Sequence, residues 1–115
     1  MIIFDNGHGG IINGVYQTKG KRSPEWSLGE QLLEGVFNRN IVNKLTKLCK
    51  SLNIECITLV PEPEDISLRK RVNRANKIYK EHENSILLSI HANAGGGTGF
   101  EMFTSVGETK SDRIA

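Results

Sequence analysis

Three short apolar runs alternate with two stretches of helical period, and this alternation limits the fold more than any other feature. Ile2 to Phe4, Ile54 to Val60 and Ile86 to Ile90 are rich in β-branched or aliphatic residues, so each reads as a strand. After the first run, Phe37, Ile41, Leu45, Leu48 and Leu52 recur at three- and four-residue steps. That spacing predicts a helix from about Leu28 or Gln31 to Leu52, with those side chains and Glu34 on its buried face. After the second, Asp65 or Ser67 can cap a helix running to about Glu81, with Leu68, Val72, Ala75 and Ile78 or Tyr79 as its apolar stripe. The third run is apolar enough for a strand covered on both faces. Gly99 to Ser105 reads as a fourth strand, and Thr109 or Ser111 as the cap of a further helix. Strands alternating with helices predict an α/β fold, a largely parallel sheet flanked by helices. The chain's 115 residues suffice for one small domain.

Ligands of such sheets gather beyond the carboxyl ends of the strands. His8 follows the first strand in the turn Asp5-Asn6-Gly7-His8-Gly9-Gly10, and His91 follows the third in Ser89-Ile90-His91-Ala92-Asn93. Glu34 heads the helix entered from the same edge. Singly, each has a plain explanation: a loop histidine, a strand-end histidine, a first-turn acid favoured by the helix dipole. Together, two imidazoles and a carboxylate make the ligand set of a catalytic zinc, which leaves a fourth position open. Calcium and magnesium prefer all-oxygen shells. Zinc would acidify water and polarise a carbonyl, enough for amide hydrolysis if a general base is at hand. Asp5, Asn6, Ser89 or Asn93 would orient the imidazoles. A phosphate cradle is the weaker reading of the first turn, because the GxGxxG spacing is missing and no helix follows directly. His82, in Lys80-Glu81-His82-Glu83, reads as a surface residue at a helix end.

Gly9 to Ser27 is a long loop with room for a small hairpin around Gly14-Val15-Tyr16, and loops of that length are functional or disordered. The net charge of +2 is nearly balanced and gives no basic face for nucleic acid. Lys44, Lys47 and Lys50 read as a solvated helix face. Cys49 and Cys56 form no CxxC pair and read as two free core thiols. No apolar stretch is long enough to span a bilayer, and strand-like sequence begins at Ile2 without a basic leader, so no signal peptide is expected.

At these residues the sequence resembles the zinc-dependent N-acetylmuramoyl-L-alanine amidases, which cut peptidoglycan between muramic acid and L-alanine. The resemblance rests on Asp5-Asn6-Gly7-His8-Gly9-Gly10, on Glu34 with Asn38, and on Ser67-Leu68-Arg69-Lys70-Arg71 with Ala75-Asn76. It continues in Ser89 to Ala94 and Gly99-Phe100-Glu101, in the family's order. It implies a zinc-exopeptidase- or amidase-like sheet of six strands, with His8, Glu34 and His91 as zinc ligands, Arg71 as the family arginine and peptidoglycan as substrate. The family's catalytic glutamate belongs to a later Val-x-x-Glu-x-Gly-Phe-type segment that these 115 residues do not contain. On that resemblance the chain reads as the N-terminal part (1–115) of a single amidase catalytic domain, without the fold's last helices and strands. Glu101 is then the best placed of the remaining acids for the base, on a strand expected beside the one ending in His91. A zinc- and wall-binding module without the base, and another zinc peptidase of similar architecture, are the alternative readings. The Gly9–Ser27 loop, with Tyr16, Lys19, Lys21, Arg22 and Trp26, is expected to hold glycan or stem peptide, and the chain to act as a monomer. Export would take another route, as for a phage endolysin.

Overall fold

The structure, a computed structural model, describes residues 1–95 and 97–115. In chain order the elements are β1 (Ile2–Asn6), β2 (Ile11–Ile12), β3 (Val15–Tyr16), α1 (Glu34–Ser51), β4 (Cys56–Thr58), α2 (Leu68–Glu81) and β5 (Ile86–Ile90). A turn of 3-10 helix, Lys110–Arg113, follows. β1 lies between β4 and β5, parallel to both, with Ile2 opposite Cys56 on one side and Ile86 on the other. Side chains of a strand alternate between its faces, and β1 feeds two cores accordingly. Phe4 packs with Val42 and Cys49 of α1, and Ile3 with Leu59, Val60 and Ala75 on the side of α2. Both are 2% exposed, and full burial of such side chains contributes about 1.5–3 kcal/mol each. The parallel sheet with a helix on each face is as the alternation predicts.

The hairpin in the long loop also forms. β2 and β3 are antiparallel, joined by Asn13 and Gly14 at φ 48° and 78°. Two left-handed residues are what a two-residue turn of this hand requires. Cys49 and Cys56 are both free thiols packed in one cluster. Burial, and then contact with Cys49, pushes the Cys56 thiol up from its ordinary pKa.

Several expectations fail for identifiable reasons. α1 starts at Glu34, because Ser23 and Trp26 N–H bond back to the Leu32 and Glu30 carbonyls, making a closed excursion that turns at Gly29 (φ 75°). Its buried side is Glu34, Gly35, Asn38, Val42 and Cys49, whereas Phe37, Leu48 and Leu52 of the predicted stripe are exposed. α2 buries Arg71 and Ala75 and exposes Leu68, Val72 and Tyr79. In both helices a polar side chain directed at the end of β1 sets the rotation, and the apolar stripe turns aside. β5 alternates between half-buried Ile86, Leu88 and Ile90 and exposed Leu87 and Ser89, so only one of its faces is covered. The fourth strand is absent among the described residues: 99–105 carries no ladder, and Phe100 and Phe103 are exposed. Beyond it, Thr109 heads only the 3-10 turn, its N–H donating to the Asp112 carboxylate.

The accessible surface is 8664 Å², whereas a compact monomer of 12.8 kDa exposes about 6,300 Å². The radius of gyration is 15.3 Å, against about 13 Å for a compact domain of this length. Large apolar side chains are among the exposed groups, Leu48, Val72 and Tyr79 on the helices, Leu87 on β5 and Phe100 and Phe103 after it.

Candidate metal centre

Parallel pairing of β1 and β5 brings two chain exits side by side. The ladder continues past Asn6 as the Gly7 N–H donates to the Ile90 carbonyl at 3.1 Å. His8 and His91 therefore leave adjacent strands at the same edge. Their rings meet edge to face, centroids 4.9 Å apart. Gly7 has no room for a side chain, because a Cβ there would stand well inside van der Waals contact with Cε1 of the His91 ring.

Glu34 arrives from the first turn of α1. Its Oε1 lies 3.2 Å from His8 Nε2 and 3.1 Å from His91 Nδ1, and accepts the Ala92 N–H at 3.2 Å. Leu33, at the N-cap, makes no side-chain capping bond. The orphan N–H groups of the first turn are met by the loop instead: Glu34 N–H donates to the Lys21 carbonyl, and Gly35 N–H to the Tyr16 hydroxyl at 2.8 Å. That hydroxyl donates to the Lys21 carbonyl at 2.9 Å. Gly35 sits directly against the Gly9 carbonyl, leaving no space for a Cβ. These contacts fix where α1 begins, and hence where the carboxylate stands.

One donor atom from each residue forms a set lying within 4.8 Å of one another. Tetrahedral zinc with bonds of about 2.0–2.1 Å holds its donors about 3.3 Å apart. The two distances to Glu34 Oε1 match that edge and the whole set lies within 4.8 Å, so the residues suit the ion in donor chemistry and are gathered closely enough for it to draw them in. Burial lowers the His8 pKa below its ordinary 6.5, with Glu34 opposing, which leaves a neutral ring able to donate to a metal. Burial acts to raise the Glu34 pKa, but the Ala92 N–H, the His91 ring and the His8 charge outweigh it and hold the carboxyl below its ordinary 4.5.

The surrounding polar groups do other work than the sequence suggested. Asp5 and Ser89 bond each other at 2.8 Å, and Asp5 pairs with buried Arg71. Asn93 Nδ2 donates to Glu101 Oε2 at 3.1 Å. Among the described residues, no bond joins Asp5, Asn6, Ser89 or Asn93 to an imidazole. The backbone is held by Arg71, which donates to the carbonyls of Asn6 and His8, and by Asn38, which donates to that of Gly7. Tyr16, expected at the substrate, is buried beneath Arg22 as a prop for α1. Lys19, Lys21, Arg22 and Trp26 are exposed. Glu101 is exposed and lies on no strand, tied to the site only through Asn93. Asp65, read from sequence only as a helix cap, accepts from Thr18 Oγ1 at 2.7 Å, and its charge acts on His8. The same hydroxyl accepts the Gly9 N–H, a link between loops that no local pattern announces.

A family model described as N-acetylmuramoyl-L-alanine amidase matches residues 2–115. Among solved structures, the chain is similar to the catalytic domain of CwlV, an N-acetylmuramoyl-L-alanine amidase from Bacillus (Paenibacillus) polymyxa var. colistinus, with a TM-score of 0.53 and 23% identity. That similarity covers 84% of this chain and 46% of the other, and at this identity it bears on the fold. No curated protein sequence matches the chain significantly.

Proposed function

The chain belongs to the N-acetylmuramoyl-L-alanine amidase family, and from that premise we propose that it takes part in zinc-dependent hydrolysis of the amide bond between N-acetylmuramic acid and L-alanine in peptidoglycan. The observation that supports this reading is the gathering of one donor atom each from His8, Glu34 and His91 within 4.8 Å, with Glu34 Oε1 3.2 Å and 3.1 Å from the two imidazoles. Bound zinc supplies carbonyl polarisation and acidified water. The chain's own groups supply the rest. His8 and His91 present ring nitrogens, Glu34 brings the negative charge, and the Ala92 N–H holds that carboxylate in place. Exposed Lys19, Lys21, Arg22 and Trp26 border this edge and would contact glycan or stem peptide. The cell wall is the place of action on this reading, and no described helix is long and apolar enough to cross a membrane.

Glu101 is the acid we assign for testing as general base, since it accepts a bond from Asn93, which stands two residues after the proposed ligand His91. Incubating the zinc-loaded chain with purified cell walls and measuring new L-alanine amino termini tests the activity. Release that falls by orders of magnitude in Glu101→Gln supports the assignment, and undiminished release removes it. A second reading has a specific observation behind it. Glu101 is exposed and engaged with Asn93 rather than with an imidazole, which suits a module that binds zinc and wall without cleaving. Zinc uptake and wall binding with no release of amino termini would favour that reading.

A further inference from the structure

His8 is the one proposed ligand whose backbone is unusual: its φ is 67°, in the left-handed region. For a residue with a Cβ that conformation costs roughly 1–2 kcal/mol, so the surroundings must hold it. They do so through three consecutive carbonyls. Arg71 Nη1 donates to Asn6 O and Nη2 to His8 O, each at 3.1 Å, while Nε is anchored on Ile66 O at 2.8 Å. Asn38 Nδ2 donates to Gly7 O at 3.1 Å. The two side chains come from different helices, α2 and α1, on opposite faces of the sheet. Arg71 is 6% exposed and Asn38 fully buried. Asp5, itself held by Ser89, neutralises the guanidinium.

We propose that Arg71 and Asn38 are positioning residues for the metal centre, gripping the carbonyls of Asn6, Gly7 and His8 so that His8 keeps its left-handed, ligating conformation before metal arrives. This rests on the His8–Glu34–His91 reading above. An Arg at this place is not exchangeable with Lys, because one ammonium meets Asp5 but does not span three carbonyls and a carboxylate in fixed directions. Residues that orient metal ligands from behind typically govern affinity by about 10- to 100-fold.

The test compares zinc affinity by competition with a chromogenic chelator, and the visible spectrum of the cobalt(II) form. The proteins are the unaltered chain, Arg71→Lys, Asn38→Ala and Val60→Ala, the last a destabilising change in the core of Ile3, Leu59 and Ala75 that removes no bond to the three carbonyls. We expect about 10- to 100-fold weaker zinc binding and an altered cobalt spectrum in the first two variants, and neither effect in Val60→Ala. Folded Arg71→Lys and Asn38→Ala proteins binding zinc within about twofold of the unaltered chain overturn the proposal. An unaltered chain that takes up no zinc overturns the metal site itself, which is a different result. Should both variants fail to fold, NMR of the unaltered, metal-free chain decides: scalar couplings and NOEs should report positive φ at His8. Negative or averaged φ there overturns the proposal.

Discussion

Gly35→Ala sets two effects of opposite sign against each other in one methyl group. Position 35 lies in the first turn of α1, where alanine is ordinarily favoured over glycine by about 1 kcal/mol. Here the added Cβ would fall on the carbonyl oxygen of Gly9, with the Gly9 carbon and nitrogen just behind. The obstacle is backbone, which does not swing away as a flexible side chain would. Overpacking of this kind costs about 1–3 kcal/mol, more where nothing yields. The net expectation is destabilisation by about 1–2 kcal/mol, a drop in Tm of roughly 4–10 °C for a chain of this size. Gly9 follows His8 directly, so relief by displacement also moves a ligand, and zinc affinity should fall together with Tm. Gly20→Ala is the control, since a Cβ there meets nothing within 4 Å. It should be neutral or slightly stabilising. Thermal unfolding and zinc competition on both variants provide the data. A Gly35→Ala protein that melts higher than the unaltered chain and binds zinc as well would refute the packing argument.

Other consequences are equally open to measurement. Tyr16→Phe removes a buried hydroxyl that serves both Gly35 N–H and Lys21 O. Denaturant unfolding should show a loss of about 1–3 kcal/mol from the unpaired groups, with a parallel loss of zinc affinity and no selective loss of wall binding. Acidification should weaken zinc binding, and protons should reach the His8 ring later than they would an exposed histidine, because burial lowers its pKa. The metal-free chain should lose stability in the same direction. His8 takes up a proton more readily unfolded than folded, so stability falls as pH drops from 6.5 towards the folded pKa. Glu34, held below 4.5, adds stability above that value that is lost on further acidification. Equilibrium zinc titrations and melts across pH 4–8 would show whether the order is right. Finally, the exposed apolar side chains, with Phe100 and Phe103 at 85% and 77%, predict binding of a hydrophobic dye by the folded chain. Phe103→Ser should reduce that fluorescence without lowering Tm, and an absence of dye binding would contradict the described surface.

The parts of the fold legible in the sequence are those fixed by local chemistry. β1 and β5 stand out as short apolar runs ending in turn residues, and the hairpin expected around Gly14-Val15-Tyr16 forms with its turn one step earlier, at Asn13-Gly14. His8, Glu34 and His91 were legible because parallel strands place their exits at one edge. Helix rotation was not. Periodicity favoured Phe37, Leu48 and Val72 as inward residues, yet Asn38 and Arg71 turn inward, because their bonds to the end of β1 outweigh the burial of a few aliphatic side chains. Tyr16 was misread for a related reason. Its hydroxyl caps α1 across 19 residues of chain, a long-range bond with no local signature. Gly99 to Ser105 has strand-like composition, but a strand requires a partner edge, and 99–105 makes no ladder with β5.

Zinc stoichiometry tests the central claim most directly. Protein stripped with chelator, dialysed and titrated with zinc at pH 7.5 should take up one ion per chain, as read by elemental analysis. Uptake should be lost in His8→Ala, His91→Ala and Glu34→Gln variants that remain folded. A folded, unaltered chain that binds no zinc, or three variants that bind it undiminished, would contradict the account.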